Sequence, residues 1–282
     1  MKKLAVIDIG SNSVRLFKED QKGQKKVVMT QLGKSQIKGV LSDESMLDTI
    51  NAILSFKKEC LNYQIVCFAT EAIRSSVNGQ DFIRQIKQVC QIDVEILSPK
   101  KEALCGYLGA TAGKGENTVI DVGGASPEII TGIGEQILTS ISVPIGASRI
   151  TALCSEDYKK MTEVLDELFP KERQIIGKVY AVGGSATTLG AIKAGLIEYD
   201  SRVISGLELC QQDIINIISE LEVLSIQERV ERYPILPIKR AEVIIGGAKI
   251  LLYVMQKYSI AKLSLSDSDN MEGFLIQRSY EN

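Results

Sequence analysis

One short segment occurs twice in this chain, once in each half of its 282 residues: Asp8-Ile9-Gly10-Ser11-Asn12-Ser13 and Asp121-Val122-Gly123-Gly124-Ala125-Ser126. Each copy follows an apolar run, Leu4 to Ile7 or Thr118 to Ile120, and precedes a second β-like run, Val14 to Phe17 or Ile129 to Thr131. Strand, Asp-x-Gly, small polar loop and strand together read as a hairpin whose turn carries chemistry. Glycine lets a backbone approach a ligand closely, and the small hydroxyl and amide side chains add donors. An aspartate at the end of a buried strand is costly unless it is paired, hydrogen-bonded or beside a metal. Either loop alone also reads as a tight turn. The pair points to two lobes that clamp one phosphate chain. The spacing is that of a duplicated domain, far too long for a solenoid. Neither copy is a Walker loop, and neither is a dinucleotide fingerprint, because a strand follows each where a helix would be needed.

A chain of this length with 45% hydrophobic residues can bury two cores. Its net charge of −2 argues against a general nucleic-acid-binding surface. Histidine is absent, which excludes a histidine base, a phosphohistidine and a histidine-ligated metal. A general base must then be a carboxylate, lysine, tyrosine or cysteine. Six scattered cysteines without a C-x-x-C pair read as reduced core residues. No signal peptide or membrane-length apolar run is recognisable, so no membrane association is expected and the cytoplasm is the expected location.

Along the chain, strands are expected at 4–7, 14–17 and 25–32. Ser42 caps a helix running to about Cys60, with Asp43 and Glu44 in its first turn. Ile65 to Ala69 and Val94 to Leu97 read as strands, Phe82 to Val89 and Lys100 to Ala112 as helices. Gly113 to Asn117 is the candidate boundary. The pattern then restarts with strands near 118–121, 128–132 and 136–143, helices after Gly146 and Ser155, and a strand at Val179 to Val182. Gly183-Gly184-Ser185 ends that strand and opens a helix, a geometry suited to an anion. A helix over Arg240 to Met255, a strand at Lys262 to Leu265 and a final helix complete the chain. The fold class is α/β, with mixed sheets flanked by helices.

These residues resemble the exopolyphosphatase and guanosine pentaphosphate phosphohydrolase family, of the actin, sugar kinase and acetate kinase superfamily. Asp8 to Ser13 is similar to its first phosphate loop without substitution, and Asp121 to Glu128 to its second. Ala69-Thr70-Glu71-Ala72-Ile73-Arg74 resembles its A-T-x-A-hydrophobic-Arg segment, and Ser98 to Ala103 its S-G-x-E-E-A segment. Gly183 to Leu189 resembles G-G-T-x-x-T-L, and Arg240 to Ile244 resembles R-A-D-x-I.

The resemblance implies two actin-like (ribonuclease H-like) domains, 1–115 and 116–282, with the active site in the interdomain cleft. It implies Mg2+-assisted release of terminal phosphate from inorganic polyphosphate or guanosine pentaphosphate. Glu102 falls on the general base; Asp121, Glu128 and Asp8 fall on the metal-associated acids. The expected phosphate contacts are Gly10, Ser11, Asn12, Ser13, Arg74, Gly123, Gly124, Ala125, Ser126, Gly183, Gly184 and Ser185. Bland alternatives stay open from the residues alone: exposed glutamate for Glu102, turn-capping for the aspartates, surface charge for Arg74. The sequence departs from the family at Pro99, Lys101, Leu104, Ala125, Pro127 and Met271. A non-catalytic polyphosphate- or alarmone-binding member, an actin-like ATPase or kinase, and a homodimeric assembly also stay open.

Overall fold

The computed structural model describes residues 3–11, 13–21, 24–32, 39–124, 126–155 and 157–281. The chain opens with β1 (Lys3–Ile9), β2 (Ser13–Lys18) and β3 (Lys25–Met29), an antiparallel meander. Next come α1 (Asp43–Glu59), β4 (Tyr63–Ala69), α2 (Glu71–Arg74), α3 (Gly79–Cys90), β5 (Val94–Ile96) and α4 (Pro99–Thr111). Strand order is β3-β2-β1-β4-β5, with β4 and β5 added in parallel. As expected, Ser42 caps α1, its hydroxyl accepting from the Ser45 amide. Ile7, Ile9, Leu16 and Cys67 on one sheet face pack with Ile53, Phe56, Phe82 and Ile86 of α1 and α3.

The second set is β6 (Glu116–Val122), β7 (Pro127–Ile133), β8 (Gln136–Ser142), α5 (Ala147–Cys154), α6 (Tyr158–Leu168), β9 (Lys178–Val182) and α7 (Gly183–Lys193). It continues with α8 (Ser201–Ile204), β10 (Glu208–Cys210), α9 (Gln211–Glu222), α10 (Ile226–Arg232), α11 (Ile238–Ala241), α12 (Ile244–Lys257) and β11 (Lys262–Leu265). Strand order is β10-β11-β9-β6-β7-β8. Read from its antiparallel edge, β8-β7-β6-β9-β11 repeats the order and the strand directions of β3-β2-β1-β4-β5. The duplication seen in two loops is thus a duplication of whole sheets. All residues of α12 from Ile244 to Met255 are buried, the signature of a helix enclosed on every side.

The final helix, α13 (Asn270–Glu281), does not stay with the second set. Met271 and Phe274 pack with Val6, Phe17, Val66 and Phe68 on the other face of the first sheet. The compact units are therefore Met1–Gly106 with Asn270–Asn282, and Tyr107–Asp269. This corrects the expected division into 1–115 and 116–282: the boundary lies inside α4, and the apolar face of α13 returns the chain to the first unit. The 240–255 helix also differs, being broken into α11 and α12, and the three-residue β10 was not expected. No helix among the described residues is long and apolar enough to cross a membrane.

Candidate active site

The two Asp-x-Gly loops close in the same way. The Gly10 amide donates to the Ser13 carbonyl at 3.0 Å, and the Gly123 amide to the Ser126 carbonyl at 3.0 Å. A Cβ at Gly10 would crowd the Ser13 oxygen at 3.3 Å, and one at Gly123 would lie only 2.9 Å from the Ser126 oxygen, so the second turn leaves no room for a side chain at its glycine. Asn12 and Ala125 lie outside the described residues. In the second unit the start of α5 holds the loop: Ala147 N–H donates to Gly123 O at 2.9 Å and Ser148 N–H to Gly124 O at 3.0 Å. In a trans peptide the carbonyl and the following amide point opposite ways, so the Gly124 N–H is turned away from α5.

What faces each aspartate across its hairpin separates the two copies. Asp8 pairs in register with Arg15, whereas Asp121 pairs with Glu128. Asp8 is only 2% exposed, and its Oδ2 accepts from Arg15 Nε at 3.0 Å and from Nη2. Its burial is thereby balanced by a guanidinium, as a buried charge requires. Among the described residues no such cation pairs with Glu128. Its Oε1 accepts from Ser126 Oγ at 2.5 Å and from Ser142 Oγ at 2.7 Å. Burial pushes its pKa up, and the two serine hydroxyls oppose the rise without cancelling it.

Gly183 begins α7 with φ +80°, and a Cβ there would fall 2.2 Å from Asp121 Oδ1. Only glycine lets the Asp121 carboxylate lie against the N-terminus of α7, where the helix dipole favours negative charge. Gly184 makes similar room for Arg240: a Cβ would lie 1.7 Å from its Nη1. Burial pushes the Arg240 pKa down, the Tyr199 phenol opposing it. Arg240 makes no ion pair or hydrogen bond with the described residues, which marks it as a half-buried cation at a helix start. In the sequence Arg240 only opens the segment that resembles R-A-D-x-I, and nothing local marks it as a site residue. Ser185 is committed internally, its hydroxyl donating to Val122 O at 3.2 Å.

In the first unit, Ser98 caps α4 by accepting from the Lys101 amide at 3.2 Å, and Pro99 takes the first helical position. Glu102 then sits in the first turn, its side chain 29% exposed. Arg74 Nη1 donates to Glu102 Oε2 at 2.9 Å and to Leu97 O at 2.5 Å, while Nη2 donates to Glu71. Burial alone would lower the Arg74 pKa, but Glu102 and Glu71 outweigh it and hold the guanidinium charged. The departures from the family pattern have local reasons. Lys101 pairs with Glu95 at 2.6 Å, and Met271 is a fully buried core residue. Pro127 opens β7, a strand position that tolerates proline. Five cysteines are buried as expected, but Cys210 is exposed at the start of α9.

The chemistry of the donor set fits a magnesium ion in the second unit. Magnesium favours one or two carboxylates and completes its shell with water and substrate oxygens. Asp121 and Glu128 are cross-strand neighbours, and Glu128 is a half-buried carboxylate that no cation pairs with among the described residues. Asp8 is committed to Arg15 and fits the role less well. Among the described residues no three acidic, cysteine or histidine side chains form a cage.

Fold and site define a chain of two like-ordered sheets, each ending its first strand in an Asp-x-Gly loop. The chain belongs to the Ppx/GppA phosphatase family, whose pattern matches residues 6–280. It is 27% identical over 312 aligned positions to a bifunctional 3-dehydroquinate synthase/phosphatase of Fusobacterium nucleatum, covering 97% of this chain and 46% of that protein. It thus spans about half the length of that relative. The crystal structure of the Aquifex aeolicus member of the Ppx/GppA family is similar at 28% identity, with a TM-score of 0.88 over 99% of this chain and 98% of that one. An exopolyphosphatase from Cytophaga hutchinsonii shares the fold at 22% identity, with a TM-score of 0.80 over 99% of this chain and 98% of its own.

Proposed function

We propose that this protein is a phosphohydrolase that releases terminal phosphate from a phosphoanhydride chain, inorganic polyphosphate or guanosine pentaphosphate. The observation that carries the reading is Glu102, a partly shielded carboxylate at the capped start of α4, held in one orientation by Arg74. Family membership supports the reaction class. Phosphoanhydride hydrolysis needs a positioned water, an acceptor for its proton, and donors around the phosphoryl oxygens. Glu102 takes the proton from water. The amide of Gly124, the hydroxyls of Ser11 and Ser13, and the start of α7 at Gly183 and Gly184 bind phosphoryl oxygens, joined by the guanidinium groups of Arg74 and Arg240. Asp121 and Glu128 hold magnesium, which when bound supplies positive charge to the phosphoryl oxygens. The six cysteines, none of them in a disulfide, support a reducing compartment such as the cytoplasm.

The test is phosphate release by purified protein from polyphosphate and from guanosine pentaphosphate, with magnesium or with chelator. Release is expected with magnesium and lost with chelator. Glu102→Gln keeps size and hydrogen bonding but cannot take the proton, so turnover should fall about 10²–10⁴-fold with little change in binding. Tight binding without release by the unaltered protein would replace this reading with a binding protein. Transfer of phosphate to an added acceptor would replace it with a kinase.

A further inference from the structure

Glu71 has no part in the reaction above, yet it makes a direct contact with one of the expected phosphate contacts. Arg74 is gripped on one edge of its guanidinium: Nη1 donates to the Leu97 carbonyl at 2.5 Å and to Glu102 at 2.9 Å. Those bonds fix the fork to the end of β5 and to the start of α4. The other amino group, Nη2, is taken by Glu71, one turn back on the four-residue α2. The two partners differ in exposure: the Glu71 side chain is 62% exposed, against 29% for Glu102. An exposed ion pair is weak and is screened by salt, so the outer contact breaks easily while the inner one persists. A guanidinium edge accepts a carboxylate or a phosphate with the same geometry.

We propose that Glu71 is a displaceable occupant of the phosphate seat on Arg74, so that it competes with anions and sets how much charge a ligand must bring to bind. The inference rests on the reading that Arg74 meets a phosphoryl group. A phosphoanhydride chain brings several charged groups at once and pushes Glu71 aside, with other contacts offsetting the loss. Orthophosphate, with one group to offer, competes poorly. Glu71 thereby favours polyphosphoryl ligands over the released product, while the inner contact keeps Glu102 aimed throughout.

The experiment compares the unaltered protein with Glu71→Gln, which keeps the side chain's size and removes its charge. The readouts are KM and kcat for polyphosphate, the inhibition constant of orthophosphate, and calorimetric binding of tripolyphosphate in chelator. The variant should bind orthophosphate about two- to fivefold more tightly, the range an exposed ion pair allows, and lower KM rather than raise kcat. The difference should shrink at high salt. Unchanged or weaker anion binding by a folded Glu71→Gln protein would overturn the proposal. A merely structural role for Glu71 would show as a lower melting temperature with anion affinity unmoved, which also overturns it. If the unaltered protein releases no phosphate, the catalytic reading fails, while the tripolyphosphate titration still decides the role of Glu71.

Discussion

At the scale of single residues, the two hairpins show how one pattern is put to two uses. The aspartate, the glycine after its neighbour and the closing serine are common to both copies and were legible in the sequence. The residue seven positions beyond each aspartate was legible only as a letter, because its meaning depends on strand register. Register places Arg15 against Asp8 and Glu128 against Asp121, so one copy neutralises its acid and the other accumulates negative charge. Glu128 carries a testable consequence. Its folded pKa is raised above the ordinary 4.5 by burial. A carboxyl with a raised pKa holds its proton more tightly when folded, so at neutral pH its charge works against folding, and acidification relieves that. Glu128→Gln should therefore melt at a higher temperature than the unaltered protein at pH 7, and the gap should close as pH falls towards 4.5. In the same melts, magnesium should stabilise the unaltered protein and have little effect on the variant. Thermal denaturation followed by circular dichroism from pH 4 to pH 8 checks both.

Among the elements, those with strong periodicity or caps were readable, and those defined by neighbours were not. The helix after Ser42 was placed by its capping chemistry, and the strands by their apolar runs. The break between α11 and α12 was missed because Arg240 to Met255 is a plausible helix taken alone. α12 itself is pressed onto α5 and α7: a Cβ at Gly246 would lie 2.3 Å from Thr151 Oγ1, and one at Gly247 would lie 2.4 Å from Ser185 Oγ. The short α11 that precedes it carries Arg240 and is held by a buried arginine. Arg229 is 3% exposed, its Nε donating to Leu221 O at 2.9 Å and its Nη1 to Ala241 O at 3.2 Å. One guanidinium thus satisfies carbonyls at the C-terminal ends of both α9 and α11, where positive charge is favoured. Arg229→Met fills much of the same volume and leaves both carbonyls without that donor. A buried acceptor left unmade costs about 1–3 kcal/mol, so with two carbonyls affected urea denaturation should show a loss of about 2–6 kcal/mol. The m-value should be unchanged, since the surface exposed on unfolding is the same.

For the molecule as a whole, the duplication was visible in the sequence because its two loops are local, while the division into units was not. Linear order assigns α13 to the second half. Nothing in the periodicity of 270–281 says which sheet its apolar face covers, and the Gly113 to Asn117 turn looks more like a boundary than the middle of α4 does. The structure makes the first unit discontinuous: its second core needs Met271 and Phe274 from the far end of the chain. The Phe274 ring stacks against Phe68 of β4 at 4.9 Å between centroids and an interplanar angle of 44°, and it is fully buried. Truncating a buried phenylalanine to alanine costs about 3–5 kcal/mol in lost transfer energy and in the cavity left behind. Phe274→Ala should therefore weaken the first unit and leave the core of the second, which holds no residue beyond Leu265, intact. Hydrogen exchange locates the loss: amides of β1 and β4 should exchange faster, while those of β6 and β9 keep their protection. Equal loss of protection in both sheets would mean that the two units unfold as one, and that the discontinuous unit has no stability of its own.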